Sequence, residues 1–315
     1  MSFSPVIVFA YNRPWHLEQT LDALEKNENV DKSDVFIFCD GMKNQADLEN
    51  IKQTRLVAKK NRKFGDKIVI EHDKNLGLAA SIISGVTEIT NKYGKVIVLE
   101  DDIVTGKYFL EYMNKALEIY KNNPNVWHIT GWHNPTNNIN NTDCFFYPLM
   151  DCWGWATWKN RWQYFEKNPQ QLLKTFNKKD IKKFNVDGLV PNKWNQVLGN
   201  INGRNNTWAI FWYATILNHN GLCLAPSNSL VKNIGCDNTG MHGKTTEHYD
   251  IDTDIDHKIE HFPDIISIDS KEYNSLKEDY KQRFRFDRAK QFFKALLPNF
   301  LLTKIQKALS DAGKR

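Results

Sequence analysis

Short apolar runs alternate with longer stretches of helical periodicity through the first hundred residues. Val6-Ile7-Val8-Phe9-Ala10 is an unbroken apolar run, the pattern of a strand buried on both faces. Tyr11-Asn12-Arg13-Pro14 then makes a turn, Pro14 suits a first helical position, and Leu17, Leu21 and Leu24 follow at helical spacing. A second strand is predicted over 34–39, ending on Asp40-Gly41, and a helix rich in Lys and Arg over 44–63. The third strand spans 67–71 and closes on Asp73-Lys74-Asn75-Leu76-Gly77, before a helix of small and apolar residues over 78–90. A fourth strand follows at 95–99. Strands alternating with helices at this spacing predict βαβ units, right-handed crossovers and an α/β fold with a mostly parallel sheet.

The pattern loosens afterwards. An amphipathic helix is predicted over 108–120, stopping before Pro124, then a strand over 126–132 and an Asn-rich loop over 134–142. Cys152-Trp153-Gly154-Trp155-Ala156-Thr157-Trp158 places aromatic bulk around a glycine and leads into a helix through Phe165. A polar helical segment spans 169–200, a Trp-rich helix 207–218 and a short strand 221–225. Residues 235–247 hold Gly235, Gly240 and Gly243 with few apolar anchors, the makeup of a loop that moves cheaply and closes over a substrate. From Asp279 onward, Lys281, Arg283, Arg285, Arg288, Lys290 and Lys294 interleave with Phe284, Phe286, Phe292 and Phe293. That segment, 280–302, suits either an interfacial membrane helix or a terminal helix docked on the domain.

The fourth strand runs straight into Glu100-Asp101-Asp102. Ligands of open α/β sheets bind at the carboxyl ends of the strands. The three acids therefore have two readings: a solvated acidic turn, or a site whose mutual repulsion is relieved by a hard divalent ion bridging to substrate phosphates. Other strands also end in polar groups, at Arg13, Asp40 and Asn75, and polar groups converging on one sheet edge are what a nucleoside diphosphate-sugar requires. No G-x-G-x-x-G follows the first strand and no G-K-[ST] loop is present, so dinucleotide and P-loop sites lack their signatures.

Composition narrows the classes. The chain has 315 residues, 41% hydrophobic and 25% charged, with a net charge of +5, ordinary for a globular protein. Nothing approaches the ~18 apolar residues of a membrane span, and the start lacks a signal-peptide pattern, so a cytoplasmic location is expected. The five cysteines are scattered with no C-x-x-C pair, against a disulfide framework or structural zinc. The basic run is short and carries no nucleic-acid motif, so no nucleic-acid partner is expected. Ten Trp, concentrated between 127 and 212, suit a sugar-stacking cleft or an aromatic core equally well.

Taken together, these residues resemble a GT-A glycosyltransferase, and within that fold the Golgi N-acetylglucosaminyltransferase that initiates complex N-glycans and its bacterial relatives. The resemblance runs from about residue 6 to 245. Ala10-Tyr11-Asn12-Arg13 resembles the family's first nucleotide-contacting turn, Asp40-Gly41 its uridine-reading Asp, and Glu100-Asp101-Asp102 its metal motif. Tyr108-Phe109 with Tyr112, Asn123 to Trp127, Gly131-Trp132-His133-Asn134, the acceptor segment from Leu149 to Trp162, and His242-Gly243 follow in the same order. The resemblance implies an inverting transfer of sugar from a UDP-sugar, with Mn²⁺ or Mg²⁺ held by Asp102. Asp101 would contact ribose or a metal-bound water, Glu100 would support them, and Arg13 and Asp40 would hold the uridine. His242 would be a second metal ligand or a phosphate donor. The implied layout places a nucleotide-sugar half at 1–107, an acceptor half at 108–262 with the mobile loop inside it, and a basic helical extension at 263–315.

One departure stands out. The family's catalytic base is an Asp in a Trp-Asp-Asp-Trp segment, whereas Trp208-Ala209-Ile210-Phe211-Trp212 carries no carboxylate. Asp151 and Asp237 are the candidate replacements, and each is equally readable as a cap or a solvated Asp. The acceptor expected is a glycan, in particular a lipid-linked oligosaccharide of bacterial capsule, O-antigen or lipooligosaccharide, with peripheral membrane contact at the inner face of the cytoplasmic membrane. The alternatives are a nucleotidyltransferase, whose Gly-rich basic loop after strand one is missing, and a non-catalytic carbohydrate-binding protein on the same fold.

Overall fold

The computed structural model describes residues 3–133, 142–237 and 254–296. His242, most of the 235–247 loop, residues 134–141 and residues 297–302 lie outside the described residues, as do the side chains of 283, 284 and 286–296.

The first half forms as its periodicity predicts. Strands β1 (Val6–Ala10), β2 (Val35–Cys39), β3 (Lys67–Glu71) and β4 (Lys95–Glu100) pair in parallel. They are crossed by α1 (Pro14–Glu25), α2 (Leu48–Lys59) and α3 (Leu78–Tyr93). Val6, Val8 and Ala10 point into one core with Leu17, Leu21 and Leu24 of α1. Ile7 and Phe9 point the other way, against Ala79, Ile82, Val86 and Ile89 of α3. Both faces of β1 are therefore covered, which is why its sequence shows no polar alternation. The predicted 44–63 helix is shorter than expected. A 3₁₀ turn closed by the Asn44–Asp47 capping box precedes α2, and the chain is already extended at Lys60.

The second half continues the same sheet with mixed polarity. It contains β5 (Ile103–Thr105), α4 (Phe109–Ile119), β6 (Val126–Thr130), β7 (Cys144–Tyr147), β8 (Trp155–Trp158) and α5 (Lys159–Trp162). Then come α6 (Pro169–Thr175), α7 (Lys178–Phe184), α8 (Asn192–Ile201), α9 (Ala209–Asn218), β9 (Leu222–Pro226), β10 (Val231–Asn233) and α10 (Ser270–Leu296). The predicted helical segment 169–200 is in fact three helices. Asn168 and Asn177 cap α6 and α7, and positive φ at Val186, Asp187 and Gly188 separates α7 from α8. The run leading into Phe165 contains a strand, β8, that inserts antiparallel between β4 and β6. β7, which no periodicity announced, pairs antiparallel with β9 at the far edge. A small antiparallel ribbon joins β5 to β10. Leu276 of α10 is buried in the core, so the start of the extension docks on the domain.

The sheet order is β3-β2-β1-β4-β8-β6-β9-β7. The chain steps outward from β1 to β3, then returns to the other flank of β1 as β4. Strand order thus reverses between β1 and β4, and a crevice opens at their carboxyl ends. Among the described residues, no helix is long and apolar enough to cross a membrane.

Candidate active site

The β1–β4 crevice is built by the turn after β1 and the acids after β4. Arg13 precedes Pro14 at the entrance to α1. Its Nη2 donates to Asp101 and, at 2.8 Å, to Oδ2 of Asp102. Thr20 Oγ1 of α1 donates to the Asp101 carbonyl at 2.8 Å, fixing the acids against the helix. Burial pushes Asp101 up from its ordinary carboxylate range while the Arg13 charge pulls it back. Glu100 is pushed up by burial and by the neighbouring Asp102 and Asp101 charges. The triplet thus crowds more negative charge than its surroundings readily hold, and Arg13 offsets part of it.

A second layer closes over Asp102. The Ile234 amide donates to the Asp102 carbonyl at 2.9 Å. A Cβ on Gly235 would fall 2.0 Å from Asp102 Oδ2 and 2.9 Å from Arg13 Nη1, so only glycine lets the backbone approach this closely. Two residues on, Asp237 Oδ2 lies 3.0 Å from His16 Nε2 of α1. The stretch 234–237 therefore straps the acid triplet to α1.

Asp40 organises the neighbouring loops. Its carboxylate accepts from the amides of Gly41 and Leu76 at 2.8 Å each, from the Gly77 amide at 2.9 Å and from Asn75 Nδ2 at 3.0 Å. Its own amide donates to the Ala10 carbonyl at 2.9 Å. An anion held by amides at the start of α3 is favoured by the helix dipole. Gly41 packs so close to Lys74 that a Cβ would fall 2.3 Å from its carbonyl carbon. Tyr11 donates from its hydroxyl to Asp47 at 2.7 Å, and Asn12 Nδ2 donates to the other oxygen at 2.9 Å. Burial and then this bond push the Tyr11 phenol up to about 12.

Asp151 sits on the far flank, in the segment that enters β8. It is half-buried, and burial pushes its carboxyl up to about 6 against the Trp153 amide bond and the Lys193 charge. Its backbone is held by a buried relay. Trp212 Nε1 donates to His128 Nδ1 at 3.2 Å, which leaves the proton on Nε2 to donate to the Asp151 carbonyl at 2.8 Å. β8 runs antiparallel to β4 with Trp155 opposite Val98, so the segment that enters β8 lies at the carboxyl end of β4, on the edge that carries the acid triplet.

The structure thus gathers Ala10, Tyr11, Arg13, Asp40, Asn75, Glu100, Asp101, Asp102 and Asp151 along one edge. It places Asp237 there too, engaged with His16. His16, Thr20, Asp47 and His128 were not anticipated, and Gly235 was anticipated only as part of the mobile loop. Asp47 had a readable signal in its capping box with Asn44; the others depend on contacts between distant segments.

Among the described residues, no three His, Cys, Asp or Glu side chains converge on one cation position. The donor set still fits a hard divalent ion of the kind that uses one or two carboxylates and completes its shell with substrate phosphates. Asp101 and Asp102 already hold a cationic group between them.

No family model matches the chain, and no curated protein matches it. Among solved structures, it is similar to TarS from S. aureus at 18% identity and a TM-score of 0.31, covering 45% of this chain and 25% of that one. It is also similar to the mannosyltransferase PcManGT from Pyrobaculum calidifontis in complex with GDP-Man and Mn²⁺, at 11% identity and a TM-score of 0.36. That likeness covers 69% of this chain and 70% of the other. The chain spans a quarter of the length of TarS.

Proposed function

We propose that this chain is a metal-dependent glycosyltransferase of the GT-A type, moving a sugar from a UDP-sugar to a glycan acceptor with inversion. One observation carries the reading. A carboxylate pair bridged by an arginine sits at the strand-order reversal, on the same edge as a half-buried carboxylate with a raised pKa.

In this reading Asp102, with Asp101 beside it, would hold Mn²⁺ or Mg²⁺, and the ion would supply positive charge to the departing diphosphate. Arg13 faces the diphosphate oxygens, and the Asp40–Asn75 loop borders the nucleoside. Asp151 takes the proton from the acceptor hydroxyl as that oxygen bonds to the anomeric carbon, while the bond to the diphosphate breaks and the electron pair leaves with it. Asp151 is preferred to Asp237 because the latter is exposed and engaged with His16. The acceptor that suits this reading is a lipid-linked oligosaccharide of a surface polysaccharide.

The test is calorimetric titration of the full chain with UDP in the presence of Mn²⁺, then UDP release from a panel of UDP-sugars. Wild type should bind and turn over at least one donor, and Asp102→Asn should lose ~100-fold or more in turnover. Equal, metal-independent turnover by both proteins would defeat the proposal.

A further inference from the structure

Arg13 stands where a divalent ion would be drawn. Its Nη2 bonds both Asp101 and Asp102, and its side chain is only 18% exposed. The strap at Gly235 packs against both Asp102 Oδ2 and Arg13 Nη1, which closes the carboxylate pair from the other side. A second positive charge placed on the same oxygens would meet the guanidinium at close range, where repulsion is weakly screened. The described residues also offer no three-ligand cage to compensate, so an ion must bring oxygen ligands from elsewhere.

We infer that Arg13 is a resident counter-cation which a divalent ion must displace, and that a nucleoside diphosphate drives the displacement by accepting the released guanidinium. This inference rests on the reading of the crevice as a metal and nucleotide site, and adds a rule for how that site fills. A guanidinium presents a planar fork that matches phosphate oxygens as well as carboxylates. The arriving diphosphate therefore gives Arg13 an equivalent partner, frees Asp101 and Asp102, and supplies the missing oxygens to the ion. Neither ligand alone does both, so each must tighten the other by the same factor. Without nucleotide, Arg13 keeps free metal ions out of the acid triplet.

The experiment is Mn²⁺ titration of the full chain, read from the electron paramagnetic resonance signal of free Mn²⁺, with and without UDP. Wild type should bind Mn²⁺ weakly alone and at least about tenfold more tightly with UDP. Arg13→Gln removes the resident charge and keeps a polar side chain, so nucleotide-free Mn²⁺ should bind about tenfold tighter than in wild type, while the UDP effect should shrink but stay above one because the diphosphate still supplies oxygens to the ion. Arg13→Lys keeps the charge without the fork; nucleotide-free affinity should stay low and the UDP effect should fall between the other two.

A folded Arg13→Gln protein whose nucleotide-free affinity matches wild type overturns the inference while leaving the metal site standing. Should Arg13→Gln fail to fold, wild type decides: independent binding of Mn²⁺ and UDP overturns it. Wild type binding neither ligand, separately or together, removes the proposed function and this inference with it.

Discussion

Asp151 combines a carboxyl raised to about 6 with partial exposure to solvent, which suits the general base proposed above. A base must be deprotonated to act, so turnover should climb as pH rises through about 6 and level off above it. Asp151→Asn should cost ~100-fold or more in kcat and leave Mn²⁺-dependent UDP binding intact. A parallel loss of UDP binding would instead make Asp151 a structural group. Gly235 tests the second layer. A methyl there falls 2.0 Å from Asp102 Oδ2, so Gly235→Ala must displace the Asp102 carboxylate or the strap. Mn²⁺–UDP affinity should drop by about tenfold, with thermal stability reduced by no more than a few degrees because the change is confined to the crevice rim. Unchanged affinity would show that the strap does not touch the working site.

Helix α1 carries much of this geometry, since Arg13, His16 and Thr20 all lie on its first turns or just before them. Its outer face is tied down by Arg62, whose side chain is 4% exposed and pairs with Glu18, Asp22 and Glu25. Replacing Arg62 with Met leaves three acids facing one another, with Lys60 on Glu18 as the cation that remains. Because Arg62 is enclosed although its partners are partly solvated, we expect Arg62→Met to cost about 1–3 kcal/mol in urea denaturation. A cost under about 0.5 kcal/mol would mean that water screens the whole cluster. The remaining helices divide the labour by face. α1, α2 and α4 cover one side of the sheet, and α3, α8 and α9 cover the other. Asp151 and Lys193 belong to the second side, Arg13 to the first. The crevice at the strand reversal is where the two sides meet.

At the level of the whole domain, charge buried in the core makes stability depend on pH in opposing ways. His128 and His133 are enclosed, and burial lowers their pKa values to about 3 and about 4. Between those values and about 6.5 the unfolded chain binds protons that the native chain does not, so their contribution is complete above about 6.5 and fades as pH falls. Asp151, Asp101 and Glu100 act in reverse, because their raised pKa values let the native state hold protons that the unfolded chain releases. The total curve therefore mixes both signs, and the difference between two proteins isolates one. His128→Gln should be less stable than wild type at pH 7, and the gap should narrow by up to about 1.4 kcal/mol per pH unit below 6.5. A gap constant down to pH 4.5 would mean that His128 titrates normally in the folded protein.

How much of this was legible in the chain follows from how far each signal reaches. β1 to β4 were readable because burial on both faces leaves an uninterrupted apolar run, and parallel pairing then aligns their polar ends on one edge. That logic reaches Arg13, Asp40, Asn75 and the acid triplet without coordinates. β7 and β8 were not readable, since runs as short as Cys-Phe-Phe-Tyr and Trp-Ala-Thr-Trp suit a core helix equally well. Nor does periodicity say which partner a side chain takes. Arg13 meets acids 88 and 89 residues away, Asp40 spends its carboxylate on the start of α3, and His128 reaches Asp151 through an antiparallel strand that no local pattern predicts. Local hydrophobic periodicity therefore told which groups stand at the sheet edge. Long-range packing chose which of them touch, and it placed an arginine between the two aspartates.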